Sequence, residues 1–145
     1  MEIISSDLII NTSPKCLNDI TAKVIGCVEN SKIQNGLCSL YIKHTSASLV
    51  IQENADPAVL RDIELFFKKL VPEGNQNYEH DSEGPDDMPA HIRSLLTNTS
   101  LSIPINDSIL GLGTWQGIFL YEHRNNSYER KVNVNLIGKT VSIEK

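Results

Sequence analysis

Residues 37–43 alternate between two faces, and this period of two limits the folds open to the chain. Cys38, Leu40 and Ile42 fall on one face, while mainly polar side chains occupy the other. Successive side chains point to opposite sides only in an extended strand. The segment therefore predicts a β-strand that covers a hydrophobic core, and the fold has to include a sheet.

Five further segments are rich in strand-forming residues. Clusters of Asn, Asp and Ser at residues 106–108 and 125–127 lie between the last three, as turn-forming side chains do. Strands that follow one another through turns commonly pair in the antiparallel sense. We predict strands at residues 2–11, 48–52, 100–105, 117–124 and 130–137.

Two segments have helical signals. From Leu17 to Val28 the apolar residues recur every three or four positions, which predicts a helix, and Asn35-Gly36 then predicts a turn. Asp56-Pro57 predicts the start of another helix, because Asp accepts from the first free amides and Pro lacks the amide that would go unpaired there. The residues thus predict an α+β fold in which a mostly antiparallel sheet carries two or three helices.

Length and charge narrow the class of protein. A chain of 145 residues with 40% hydrophobic residues has enough apolar material for a core, so we expect residues 1–145 to form a single domain. A net charge of -5 argues against a nucleic-acid partner, which would require clustered Lys and Arg. The sequence shows neither a signal peptide nor a long apolar span, so we expect a cytoplasmic protein with no membrane partner.

Three histidines lie in or beside polar segments. His44 ends a predicted strand, and His80 and His91 lie in or next to residues 75–89, a long acidic segment predicted to be a loop. Imidazole ligates zinc and other transition metals, and catalytic sites commonly use three protein ligands. The three could hold one ion, but no short-range metal motif fixes their geometry. From the residues alone, histidines that hydrogen-bond within loops are the leading interpretation.

Acidic residues surround these histidines. Asp87 lies in the predicted loop, and Glu53 and Asp56 follow the strand that ends at His44. Carboxylates ligate hard cations such as magnesium, orient histidines or act as general bases. A solvated acidic loop is the simpler interpretation, although two histidines and several carboxylates together have the composition of a site.

Hydroxyl and amide side chains supply further candidates. Thr45, Ser46 and Ser48 either bind a ligand or edge a strand, and we weigh the two equally. Thr114 and Gln116 lie among the glycines of residues 111–117, where backbone amides can approach an anion closely. A tight turn is the equal alternative for this segment.

Two further side chains have predicted roles. Arg124 is a candidate phosphate fork, and the alternative is an ion pair with Glu122 or Asp107. Because side chains alternate along a strand, Glu122 and Arg124 should share one face while His123 points to the other. We predict that Trp115, the only tryptophan, supports the floor of a ligand-binding pocket.

Six short motifs occur in a fixed order over roughly residues 37–138. They are HTSASL at 44–49, ENADP at 53–57, YEHD at 78–81, DDMPAH at 86–91, LGTWQGI at 112–118 and EHR at 122–124. Jointly they resemble the YjbQ-like family, also called secondary thiamine-phosphate synthases.

The resemblance implies a fold, an assembly and a metal site. It implies an α+β fold of packed, mostly antiparallel sheets, a homotrimer, and a polar pocket near the subunit boundaries. A long polar loop and open sheet edges also favour assembly with neighbouring copies. His44, His80 and His91 match the family's motif histidines and are the candidate ligands of a divalent metal, either zinc or magnesium.

The resemblance also implies an activity, weak or secondary thiamine-phosphate synthesis. In this reaction a pyrimidine diphosphate joins a thiazole phosphate and pyrophosphate is released. The candidate catalytic residues are Asp87, Glu122 and Arg124. The candidate substrate-binding residues are Thr45, Ser46, Ser48, Glu53, Asn54, Asp56, Thr114 and Gln116. Two alternatives stay open: another metal-assisted reaction on a small phosphorylated metabolite, and a non-enzymatic trimer that binds a metal or small ligand.

Overall fold

The computed structural model describes residues 1–74 and 77–142, and within them three helices accompany two antiparallel sheets. The strands are β1 Glu2–Asn11, β2 Cys16–Asp19, β3 Ile33–Ile42, β4 Ala47–Glu53, β5 Ser100–Asn106, β6 Ile109–Leu110, β7 Gln116–Glu122 and β8 Glu129–Thr140. The helices are α1 Thr21–Ser31, α2 Pro57–Leu70 and α3 Asp87–Leu96. In the part of the chain so described, no helix has the length and apolar character needed to cross a membrane.

The core lies between the two sheets. One sheet has the strand order β1-β8-β3-β5-β6 and the other the order β2-β7-β4. Cys38, Leu40 and Ile42 are buried, which confirms the strand and the inward face predicted from their alternation. Leu49 and Leu120 of the smaller sheet belong to the same hydrophobic cluster, so a single core joins both sheets. The predicted α+β class and antiparallel pairing are confirmed.

Helix α2 begins where the sequence predicted it. Asp56 is its N-cap and its side chain accepts a 2.9 Å hydrogen bond from the amide of Ala58, while Pro57 takes the first helical position. Lys68 and Lys69 lie in the last turn, where cations offset the negative end of the helix dipole. The cap therefore fixes how the chain leaves β4.

The first helix starts later than predicted, and the predicted turn at Asn35-Gly36 is wrong. Residues 16–19 form β2, whose backbone pairs with β7, so the helix spans Thr21–Ser31. Asn35 and Gly36 lie inside β3, where Gly36 faces Gly138 of β8. The glycine is present because the two backbones approach closely, and no turn is made there.

Helix α3 begins inside the segment that was predicted to be a loop. Asp87 is its first residue, and Pro89 sits at its third position. Amides in the first turn of a helix have no partner within the helix, so a proline there costs no hydrogen bond. The helix consequently brings Asp87 and His91 onto one of its faces, since they are four residues apart.

The Gly36–Gly138 crossing gives a prediction with an internal control. A Cβ at Gly138 would lie 2.2 Å from the Asn35 carbonyl oxygen, so Gly138→Ala forces backbone movement and should cost about 1–3 kcal/mol of unfolding free energy. A Cβ at Gly26 in α1 would meet no atom within 4 Å. Gly26→Ala should therefore stabilise the protein by about 0.5–1 kcal/mol. Urea denaturation measures both, and equal effects of the two substitutions would contradict the close approach.

Candidate functional site

Four potential metal ligands converge where the acidic loop meets α3. The ligand atoms of His80, Glu83, Asp87 and His91 all lie within 4.8 Å of one another. Asp87 and His91 are held by one face of α3, and the loop before the helix supplies the other two. We refer to these four residues as the His–carboxylate cluster.

Asp87 is the centre of this cluster. Its Oδ2 is 2.6 Å from His80 Nε2 and 3.2 Å from His91 Nε2. His91 Nδ1 lies 2.9 Å from the carbonyl oxygen of Thr45, and a carbonyl oxygen only accepts. Nδ1 therefore carries a proton, and Nε2 is the ring nitrogen directed at Asp87 in the cluster.

Arg124 fixes the carboxylates from the end of β7. Its Nε is 2.9 Å from Asp86 Oδ2, one terminal nitrogen is 2.8 Å from Asp87 Oδ1, and the other donates to the carbonyl oxygen of Glu83 at 2.9 Å. The predicted ion pair of Arg124 with Glu122 or Asp107 is wrong, because its guanidinium pairs with Asp86 and Asp87; the phosphate-fork role stays a prediction. Because each of its three nitrogens contacts an oxygen of Asp86, Asp87 or Glu83, Arg124 holds these residues of the cluster and its surroundings in place.

These contacts set the charges of the cluster. Burial raises the pKa of Asp87, but the hydrogen bond from His80 and the charge of Arg124 outweigh it, so the pKa lies below its usual value. The hydrogen bond to Asp87 raises the pKa of His80. The hydrogen bond to Asp86, followed by its charge, raises the pKa of Arg124. The cluster thus combines an ionised carboxylate with imidazoles, which is a donor set suited to a divalent cation.

The cluster borders a large cavity of about 910 Å³. Among residues 1–74 and 77–142 the lining includes cations, histidines and hydroxyls but no carboxylate: Tyr41, Ile42, Lys43, His44, Thr45, Ser46, Met88, His91, Ile92, Ser94, Leu95, Thr99 and Arg130. His91 faces this cavity, whereas His80 lines a smaller one of about 220 Å³ on the other side of Met88. The arrangement places the cation Lys43 and two histidines beside the metal ligands, while Glu122 neutralises Arg130 behind the wall.

His44 lies in the cavity wall and not in the cluster. Its Nε2 accepts a 2.8 Å hydrogen bond from the amide of Lys131, and it is absent from the set within 4.8 Å that contains His80 and His91. Burial, and next the charge of Arg130, lowers the pKa of His44. One chain therefore does not assemble the three-histidine set predicted from the sequence, because the amide of β8 uses the imidazole nitrogen.

Several predicted substrate-binding residues lie at the opposite end of the smaller sheet. Glu53 ends β4 and pairs with Gln116 at the start of β7. The side-chain amide of Asn54 donates to the backbone carbonyl oxygens of Thr114 and Gln116. Asp56 caps α2. Since β4 has seven residues, this end lies about 20 Å from the His44 end. Thr45 and Ser46 line the cavity, whereas the predicted residues at the far end of the sheet do not.

Two of the predicted functional side chains are enclosed by the fold. Ser48 is fully buried, and its hydroxyl lies 2.8 Å from His123 Nε2 and 2.6 Å from Thr97 Oγ1. Glu122 is also fully buried, and its Oε1 accepts from Thr12 at 2.7 Å and from Arg130 Nε at 2.8 Å. As predicted, His123 points away from Glu122. The side chains of Ser48 and Glu122 therefore form hydrogen bonds with other parts of the protein, and they do not line the cavity.

The predicted position of Trp115 is wrong for the single chain. Its side chain is 64% exposed, and it lines neither the large cavity nor the small one. The turn at residues 113–116 is instead closed by the Gln116 side chain, whose Oε1 accepts from the amide of Gly113 at 2.8 Å. The glycine-rich segment forms a tight turn, which was the alternative to ligand binding.

Sequence reasoning gave no role to two residues that the structure places at the site. Glu83 is one of several acidic residues in the segment 75–89, and its spacing from His80 carries no signal in a segment predicted to be a loop. Arg130 lines the cavity and pairs through its side chain with Glu122, which lies eight positions earlier on a strand of the other sheet. A prediction of α3 would have placed Asp87 and His91 on one helical face. The contacts of Glu83 and Arg130 leave no local pattern in the sequence from which they could be predicted.

Comparisons with known proteins agree on one family. The model of the UPF0047 YjbQ-like family matches residues 7–139. A UPF0047 protein of Synechocystis is 53% identical over 132 residues, covering 91% of this chain and 90% of the relative. A YjbQ/UPF0047 protein of Clostridium acetobutylicum has a solved structure with a TM-score of 0.83 and 37% identity, covering 91% and 99% of the two chains. A YjbQ-like protein of Sulfolobus solfataricus gives a TM-score of 0.85 at 28% identity, covering 95% and 99%. The names of these proteins state a family and no activity.

The buried Glu122–Arg130 pair gives a stability prediction. Glu122→Gln removes the charge that balances Arg130, a residue only 5% exposed, and should cost about 3–5 kcal/mol of unfolding free energy. Glu129→Gln removes the same charge from an exposed position in β8 and should change stability by less than about 0.5 kcal/mol. Thermal or urea unfolding compares the two variants. A Glu122→Gln protein as stable as the Glu129→Gln control would refute the structural role.

Proposed function

The chain belongs to the UPF0047 YjbQ-like family, and on that premise we propose that it is a metal-dependent enzyme acting on a small phosphorylated metabolite. The observation that carries the proposal is the position of the His–carboxylate cluster beside the large cavity. His91 contributes to both, and the described lining of the cavity includes the cation Lys43 and no carboxylate. A phosphate group would be drawn to such a chamber despite the acidic surface.

The cluster fits zinc better than magnesium. Magnesium prefers oxygen ligands and bound water, whereas imidazole nitrogen suits zinc and similar transition metals. His91 directs its Nε2 into the cluster because its Nδ1 donates to the carbonyl oxygen of Thr45, and a zinc ion would take the place of a proton on Nε2. A divalent cation here would offset the charge that develops on a departing phosphate or pyrophosphate.

The specific reaction we propose is thiamine-phosphate synthesis, which the family resemblance implies. A pyrimidine diphosphate and a thiazole phosphate would share the cavity, whose volume of about 910 Å³ lies within the range of small-molecule sites. Lys43 would bind phosphate oxygens, and Thr45 and Ser46 would add hydroxyl contacts from the same wall. The apolar side chains of Met88 and Leu95 would pack against the rings.

We further propose that the protein is a homotrimer in which neighbouring chains complete the site. The predicted substrate-binding residues divide between the two ends of the smaller sheet, about 20 Å apart in one chain. A neighbour can bring its Glu53 and Thr114 end to the cavity of the first chain. An exposed apolar row crosses three adjacent strands of the larger sheet and consists of Ile3, Leu37 and Ile137. Such a row is expected of a surface that packs against another subunit.

The number of ligands favours one alternative, a non-enzymatic metal-binding protein. Catalytic zinc sites commonly have three protein ligands and an open position, whereas four protein ligands close the coordination sphere. The cluster offers four candidates. If all four bind the ion, the metal is structural or stored, and no position is left for a substrate.

Metal content tests the ligand set. His91→Ala and Asp87→Asn should each weaken zinc binding by about tenfold or more, since each removes or alters a ligand. His44→Ala is the matched control, because it removes an imidazole from the cavity wall and leaves the cluster intact. Elemental analysis and zinc titration of untagged protein measure the effect. An equal loss of zinc in His44→Ala would restore the sequence-based set of three histidines.

Product analysis tests the reaction with the same variants. The zinc-loaded protein should release pyrophosphate only when both the pyrimidine diphosphate and the thiazole phosphate are present, and His91→Ala should not. Release from the pyrimidine diphosphate alone would indicate hydrolysis. No turnover, together with four protein ligands on the ion, would favour the binding protein.

Assembly and site sharing can be tested together. Light scattering should give three times the 16.1 kDa chain mass. His91→Ala and Glu53→Gln alter opposite ends of the sheet, so each variant alone should lose turnover. Mixed trimers refolded from both should regain part of it, because some sites combine two intact ends. A monomer mass, or mixtures no more active than the separate variants, would count against a shared site.

A further inference from the structure

The imidazole of His44 is anchored to the backbone of β8 at the wall of the large cavity. Its Nε2 accepts a 2.8 Å hydrogen bond from the amide of Lys131. The amide of Lys43, one residue before His44, donates in turn to the carbonyl oxygen of Lys131 at 3.2 Å. His44 is partly buried and lines the large cavity. The backbone of the larger sheet therefore fixes the position of this ring.

The hydrogen bond from Lys131 also determines where the ring carries its proton. A backbone amide only donates, so Nε2 holds a lone pair, and the proton of the neutral imidazole is on Nδ1. A second proton on Nε2 would face the amide N–H and leave that amide without its acceptor, which is costly. Burial, and next the charge of Arg130, lowers the pKa of His44; the charge of Lys131 acts in the same sense and that of Glu122 in the opposite one. His44 is therefore a neutral imidazole protonated on Nδ1.

The Nδ1–H group is the donor that His44 can offer to a ligand. Within residues 1–74 and 77–142 it makes no hydrogen bond, and it is not among the side-chain atoms that are enclosed without a partner. It therefore retains accessible surface. Because Nε2 is occupied, Nδ1 is the polar atom through which His44 can contact a molecule in the cavity. The ammonium group of Lys43 lies on the same wall, so an anionic oxygen is the acceptor that matches this donor pair.

We propose that His44 is a neutral hydrogen-bond donor for a phosphate oxygen of the ligand and does not transfer its proton. This inference rests on the proposed function, since it assigns a role within the same cavity. Loss of the Nδ1 proton would leave an imidazolate unless Nε2 took up a proton, and the Lys131 amide occupies Nε2. A fixed neutral donor still stabilises negative charge that develops on a phosphate oxygen. His44 thus favours ligands that place an acceptor at this position over ligands that place a donor there.

Nitrogen NMR of the full-length protein can observe both ring atoms. His44 should show a protonated Nδ1 and an unprotonated Nε2 at every pH above the usual pKa of histidine, with or without zinc. Inorganic pyrophosphate, used as the probe, should shift the Nδ1–H signal saturably and leave Nε2 unprotonated. Loss of the Nδ1 proton on addition of zinc would identify His44 as a metal ligand. A proton on Nε2 in the pyrophosphate complex would show that the ring takes up protons. Either result overturns the proposal.

Two substitutions separate a neutral donor from a charged one. His44→Gln keeps an acceptor and a neutral donor but cannot titrate, so pyrophosphate affinity should fall by no more than about threefold and keep its pH dependence. His44→Leu removes the donor and should weaken binding by about tenfold, as expected for the loss of a hydrogen bond to a charged group. Gln34→Leu is the control, because it removes an exposed polar side chain from the other end of β3, away from the cavity. It should leave the affinity unchanged.

The same titration distinguishes failure of this inference from failure of the proposed function. If pyrophosphate shifts the signals of Lys43 and Thr45 but not that of His44, the cavity binds phosphate and His44 is not its donor. Equal affinities of His44→Leu and Gln34→Leu would lead to the same conclusion. If pyrophosphate shifts no residue of the cavity, the proposed function fails together with this inference.

Discussion

The guanidinium of Arg124 is the contact on which the candidate site depends. It joins the end of the smaller sheet to the start of α3 through Asp86 and Asp87, and it binds the loop through the carbonyl oxygen of Glu83. A buried carboxylate without such a partner would take up a proton. Because Asp87 stays ionised, it can draw His80 and His91 toward a common point. The cluster is therefore positioned by the sheet and not by the loop alone.

The sequence predicted the fold best where a local pattern coincided with a buried face. The alternation at residues 37–43 and the Asp56-Pro57 cap both proved correct, because each depends on contacts made within a few residues. Strand β2 was missed, since four residues paired to a distant strand carry too little pattern. Helix α3 was not predicted because residues 75–89 are polar and acidic and show no apolar period, although the helix begins at Asp87 and accommodates Pro89 in its first turn.

The candidate site was predictable as a set of residues but not as a geometry. Motifs identified His80, Asp87 and His91, which one segment of loop and helix brings together. They also grouped residues such as His44 and Thr114, which the two ends of a sheet hold apart. Sequence order does not encode that separation, since it follows from antiparallel pairing of β4 with β7. The family resemblance made Glu122 a candidate catalytic residue. In the structure its carboxylate pairs with Arg130 in the interior and neutralises the charge of that residue.

Helix α3 explains how one acidic chain can place cationic side chains beside two separate cavities. Residues two positions apart in a helix project to nearly opposite sides, so His91 faces the large cavity and Arg93 a separate one of about 570 Å³, where it pairs with Glu64. The net charge of -5 argues against binding an extended polyanion, because that requires positive charge over a wide surface. A single phosphate samples only the potential inside its cavity. The acidic composition and local anion binding are therefore compatible, provided that each cation lines a cavity and the carboxylates are paired or lie elsewhere.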